Sequence, residues 1–171
     1  SSTDPSGGVF YPDYFGKNFV LNDLTHEGGL TAIRIEGPTN SVEQRLDRLS
    51  KELGLLEQEL SILDNEQSNI FWGRTKNLEV FKSLESNLLR IVIPISETLQ
   101  VIQKFKNYEI KYFIDWGGSL IWASFDQLNT KILGEIKDIV KKHQGYITLI
   151  KVEEDLKASA DIFTIDPIKY K

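Results

Sequence analysis

Cysteine is absent from this chain, and so is methionine. The first absence excludes a disulfide framework and a thiolate metal site, and it suits a cytosolic protein. No apolar run approaches the ~20 residues that cross a membrane. No signal peptide opens the chain. Positive charge is in the minority: 20 Lys and Arg against 25 Asp and Glu leave a net charge of -5. That balance disfavours nucleic acid or an anionic membrane as the main partner. Histidine occurs only as His26 and His143, far apart. No histidine–carboxylate pair has metal-ligand spacing, so no metal site is expected. There is also no Ser-His-Asp arrangement and no phosphate-cradling loop. The chain starts at Ser1 without an initiator methionine, and it is expected to be a piece of a longer polypeptide.

What is present is ordinary globular material. The 171 residues suffice for one domain with a real core. The 40% hydrophobic and 26% charged content fits a globular protein. The first 17 residues are rich in Gly, Pro, Ser and Asp, with a short strand expected near Gly8–Tyr11. A second is expected at Phe19–Leu21, and a turn at Thr25–Gly29. Leu30 to Glu36 alternates as a half-buried strand, with Leu30, Ala32, Arg34 and Glu36 on one face. Ser41-Val42-Glu43-Gln44 has the form of a capping box. The helix it opens carries a Val42, Leu46, Leu49, Leu53 stripe and ends at Gly54. Leu55–Asp64 fits either a continued helix or a strand, and the strand is favoured because Gly54 interrupts. A helix over 65–76 follows, with Phe71 and Trp72 inside it.

From Leu88 the pattern sharpens. Leu88–Pro94 reads as a strand ended by its proline. Ser96 is expected to cap a helix through Phe105 that carries Leu99, Ile102 and Phe105. Glu109–Ile114 and Ser119–Phe125 read as hairpin strands around Asp115-Trp116-Gly117-Gly118, because the glycines tolerate positive φ. Asn129 opens a helix with Ile132, Leu133, Ile136, Ile139 and Val140 inward, and Gly145 ends it. Tyr146–Val152 is the last strand. The fold expected is α+β: a ferredoxin-like βαββαβ unit over about residues 88–152, preceded by a partial second unit. The sheet is antiparallel, with helices packed on one face. Residues 1–171 form a single domain.

Several of these segments, taken in order, resemble the E-type FAD-linked subunits of bacterial glycolate oxidase, flavoproteins of the vanillyl-alcohol-oxidase type. They are Asp4-Pro5-Ser6-Gly7-Gly8, Ala32–Gly37, Phe71-Trp72, Leu89–Pro94, Ile114–Gly118 and Gly145–Leu149. The likeness covers the C-terminal, cap or substrate-side part of such a polypeptide. Nothing here corresponds to the family's N-terminal FAD-binding domain, whose Gly-rich loop cradles the pyrophosphate. The chain ends at Asp166-Pro167-Ile168-Lys169-Tyr170-Lys171 without the family's Asn-Pro-Gly tail. The resemblance implies FAD as cofactor, held mainly by the missing domain. It implies flavin and iron–sulfur partner subunits, and glycolate or another 2-hydroxy acid as substrate. It also implies a cytoplasmic location, or one at the inner face of the membrane through partner subunits. This domain alone would be inactive.

In such chemistry a cation holds the substrate carboxylate, and another group accepts the hydroxyl proton. Arg34 and Arg90 are the carboxylate candidates, since each sits in an apolar strand where an arginine needs a partner. The structural alternative pairs Arg34 with Glu36 or another acid, and Arg90 with Asp115. Asp115 is a base, an arginine partner, or a cap for the turn amides. Trp116, with Trp122, Trp72 and Phe71, lines an isoalloxazine pocket or belongs to the core or a domain interface. No catalytic or cofactor-binding residue is assigned from the resemblance. The second reading, from another class, is a non-catalytic ferredoxin-like binding or subunit-assembly module.

Overall fold

Alternation decides this fold, because successive strand residues point to opposite faces and both faces here carry apolar side chains. The computed structural model describes residues 3–16, 28–54, 60–82, 87–152 and 156. Six strands are described: β1 (Gly7–Tyr11), β2 (Leu30–Arg34), β3 (Asn87–Val92), β4 (Ile110–Asp115), β5 (Leu120–Phe125) and β6 (Tyr146–Lys151). The helices are α1 (Asp13–Gly16), α2 (Thr39–Leu53), α3 (Asn65–Lys76), α4 (Thr98–Phe105) and α5 (Thr130–Lys142). The strands form one sheet in the order β2-β1-β4-β5-β3-β6, and every neighbouring pair is antiparallel. Its β4-β5-β3-β6 portion, with α4 and α5 as crossovers, is the expected split βαβ unit.

The strands ahead of that unit extend its sheet as a direct antiparallel pair, with Gly7 opposite Arg34 and Tyr11 opposite Leu30. The strand favoured over Leu55–Asp64 is not seen in 60–64, which has no regular structure; 55–59 lie outside the described residues, as do Phe19–Leu21. The helices also divide between two faces rather than lying on one. On the first face Leu89, Ile91, Ile121, Ala123 and Ile147 pack against Val101 and Phe105 of α4 and Leu133, Ile136 and Val140 of α5. On the second, Val9, Tyr11, Leu88 and Phe113 pack against Phe15, Phe71 and Phe81. That core is aromatic, with Tyr11 on Phe113 at 4.8 Å and Phe81 stacked on Phe113 at 5.6 Å between ring centroids. Burying each such side chain contributes roughly 2 kcal/mol.

Helix ends follow local chemistry. Asp64 and Gln67 form a capping box that starts α3, which runs over the residues expected. Asn129 caps α5 by accepting the Ile132 N–H at 2.9 Å. Gly54 ends α2 in the left-handed region, as expected. Other ends differ. Helix α2 begins at Thr39 after Pro38, so Ser41 lies in its first turn and caps nothing. Ser96 falls inside a 3₁₀ turn, Ile95–Glu97, which follows Pro94 and feeds α4 at Thr98. That offset turns Leu99 outward, 71% exposed, and puts Val101 inward with Ile102 and Phe105. At the end of α5 it is Gln144, not Gly145, that takes positive φ.

Candidate functional site

The second face is only partly covered by α3. Beyond its last turn a cleft of about 830 Å³ opens against the sheet. Its walls come from five separated stretches: Pro5–Gly8 leading into β1, Arg34 at the end of β2, and Trp72 to Lys76 of α3. The others are Arg90 of β3, and Asp115 to Trp122 across the β4–β5 turn. Register explains the grouping. Arg90 pairs across the sheet with Trp122, which pairs with Phe113, while Leu120 lies opposite Asp115. All these side chains therefore share the face that carries the aromatic core. The last turn of α3 is pinned there by a relay in which the Tyr11 hydroxyl donates to Thr75 Oγ1 at 3.0 Å. Thr75 Oγ1 in turn donates to the Phe71 carbonyl at 3.1 Å.

The rim is the β4–β5 turn. Trp116 has φ +52° and is 58% exposed, and Gly117 and Gly118 follow at +61° and +116°. A large side chain in the left-handed region is uncommon and is kept only where its surroundings dictate it. Three contacts do so. Asp115 Oδ1 accepts the Trp116 N–H at 2.7 Å, Ser119 Oγ donates to the Trp116 carbonyl at 3.1 Å, and Thr98 Oγ1 donates to the Gly118 carbonyl at 2.5 Å. Ile95 occupies the place of a Gly118 Cβ, which would come within 2.8 Å of it. Gly8 of β1 approaches the turn closely enough that a Cβ there would meet the Gly117 Cα at 3.3 Å. Gly8 and Gly117, one from each of two Gly-Gly pairs, thus meet backbone to backbone under the cleft.

All four residues singled out from the sequence, Arg34, Arg90, Asp115 and Trp116, line this cleft. Their pairings divide. Arg34 forms the expected ion pair with Glu36 at 2.9 Å. Arg90 does not pair with Asp115; its guanidinium lies over the Trp116 ring, 4.9 Å from the centroid. Asp115 caps the turn, and burial pushes its carboxyl above the usual range, with the Trp116 N–H pulling the other way. Trp72 and Trp122 also face the cleft, whereas Phe71 belongs to the core. Lys76 is a further lining residue that the sequence reading misses. It follows Trp72 by one helical turn, so the i,i+4 rule is the signal that finds it. His143 instead ends α5, buried, with Nδ1 at 2.6 Å from Glu97 Oε2, and does not line the cleft; His26 lies outside the described residues.

Among the described lining residues, three cations and three indoles around one carboxylate can hold an anion that carries a flat or apolar body. Among the described residues no group of His, Cys, Asp and Glu could hold a metal ion. Nor is any described helix long and apolar enough to cross a membrane. No protein-family model matches the chain, and no curated protein matches it.

Proposed function

We propose that this domain is the substrate side of a flavin-dependent 2-hydroxy acid oxidoreductase, similar to the E-type chain of glycolate oxidase. One observation carries the reading. Five of the six motif pieces that gave the resemblance contribute residues to the same cleft: Pro5–Gly8, Arg34, Trp72, Arg90 and Asp115–Gly117. Segments that far apart have no local reason to converge.

The donor set suits the reactive side of a flavin site. Trp72, Trp116 and Trp122 offer apolar ring surface, and Arg34, Lys76 and Arg90 offer positive charge. FAD, when bound mainly by a separate domain, supplies the two-electron acceptor. One cation of the set orients the substrate by its carboxylate. Among the described lining residues Asp115 is the one carboxylate, and it keeps Oδ2 beyond the oxygen bound to Trp116. We assign it the hydroxyl proton in this reading. Flavin and iron–sulfur subunits are the proposed partners, in the cytoplasm or at the inner face of the membrane.

The test is the visible spectrum of the full-length polypeptide that contains this domain. Flavin bands that bleach on adding glycolate are expected. Asp115→Asn should keep the bands and slow bleaching on the order of a hundredfold or more. A colourless protein that takes up no added FAD would sink the reading. A non-catalytic assembly module is then favoured, and α2 supplies its specific observation. None of its Val42, Leu46, Leu49 and Leu53 stripe is buried, and Leu53 is 53% exposed.

A further inference from the structure

We propose that Arg90, and not Arg34, receives the ligand's carboxylate, with Trp116 as the positioning residue that holds its guanidinium. This rests on the substrate-side reading of the cleft and divides two residues that the sequence leaves equivalent. Arg34 is already engaged: its Nη2 lies 2.9 Å from Glu36 Oε1, so a ligand carboxylate would have to compete with that partner. Arg90 is half-buried in β3, and no carboxylate among the described residues pairs with it. Its partner is a ring. A ring near a guanidinium stabilises the charge without neutralising it as a carboxylate would, and no ion pair with a described residue engages the Arg90 N–H donors. The fork remains available for two parallel bonds to a carboxylate.

The turn sets where the ring starts from. Asp115, Ser119 and Thr98 hold the backbone of the turn, and from that backbone the Trp116 side chain reaches Arg90. Across the sheet Trp122 stands directly opposite Arg90 in register, so the arginine rises between two indole-bearing positions. Lys76 adds positive charge at the end of α3, but an exposed ammonium on a flexible stem supplies field rather than geometry.

The experiment follows the indole N–H signals of the intact protein by NMR during titration with glycolate, its neutral amide, and inorganic phosphate. Trp116→Phe assigns the Trp116 signal. Glycolate is expected to move that signal and the amide is not. Arg90→Lys should weaken glycolate roughly tenfold, because an ammonium lacks the planar fork, while Arg34→Lys stays within about twofold. Trp116→Leu should weaken it about threefold, with Trp116→Phe restoring most of the loss. Glycolate binding lost in Arg34→Lys but kept in Arg90→Lys would overturn the assignment and leave the substrate reading standing. Phosphate bound through Arg90 with no response to glycolate would overturn the carboxylate assignment and the 2-hydroxy acid with it, leaving Arg90 in a phosphate site. A folded protein whose Trp116 signal no anion moves overturns the proposal, whatever its flavin spectrum shows.

Discussion

Asp115 does two things that pull against each other. Its Oδ1 fixes the Trp116 amide, which favours the charged form, and its burial in the cleft wall disfavours that form more strongly. The folded-state value is therefore raised, and the sign for stability follows. Well below the ordinary aspartate value, near ~3.9, the group is protonated in both folded and unfolded chains and contributes no difference. As pH rises through the unfolded and then the folded value, the folded state loses stability, and the loss persists at neutral pH. Asparagine keeps an oxygen for the Trp116 N–H and carries no charge. Asp115→Asn should therefore raise the thermal midpoint at pH 7, with the gain vanishing near pH 3. Equal gains at both values would show that the carboxylate's charge is not what burial penalises.

Strand β4 shows how an element is completed by a residue outside the sheet. It meets β1 at Phe10 and Ile114. At Tyr112 the strand partner is replaced by one side chain: the Tyr14 hydroxyl donates to the Tyr112 carbonyl at 3.0 Å and accepts its N–H at 2.9 Å. Burial pushes the Tyr14 phenol upward, so it stays a neutral donor. Tyr14→Phe should cost about 1 kcal/mol and speed amide exchange at Tyr112, read by hydrogen–deuterium exchange; unchanged exchange would mean that the bond holds nothing closed. Nothing in the sequence around Tyr14 announces this role, because the partner lies far along the chain. Elements with local signals are legible. Asn129 reads as a cap, Gly54 as a stop, and 65–76 as a helix with its bounds correct. Ser96 misleads because Pro94-Ile95-Ser96-Glu97 fits a cap and a 3₁₀ turn equally well, and packing of Ile95 against Gly118 selects the turn.

At the scale of the molecule, one sheet separates two cores of different chemistry, aliphatic around α4 and α5, aromatic under α3. The sequence carries the antiparallel α+β plan, since strand and helix periods differ along the chain. It does not carry which face each helix takes. Helix α3 has only Phe71 and Thr75 buried, and no stripe that points to a side. The four site residues are legible as charged or aromatic side chains in unexpected surroundings; their meeting is not, being a matter of register. Two cores across one sheet share few partners, so their substitutions should add. Ile136→Val at about 1 kcal/mol and Leu88→Ala at about 3 kcal/mol should combine within about 0.5 kcal/mol. Denaturant unfolding should still show a single transition, because both cores are built on the same strands; two transitions would show that they melt separately.

The contact of Gly8 with Gly117 also has a bearing on time. Local pieces such as the β4–β5 hairpin close quickly, whereas joining the start of the chain to that turn requires closing a long loop. The cleft is therefore expected to be completed late, after the strands around it have paired. Ligand-induced change at Trp116 would then serve as a clock hand for the final step of refolding, lagging behind the far-ultraviolet signal of the helices.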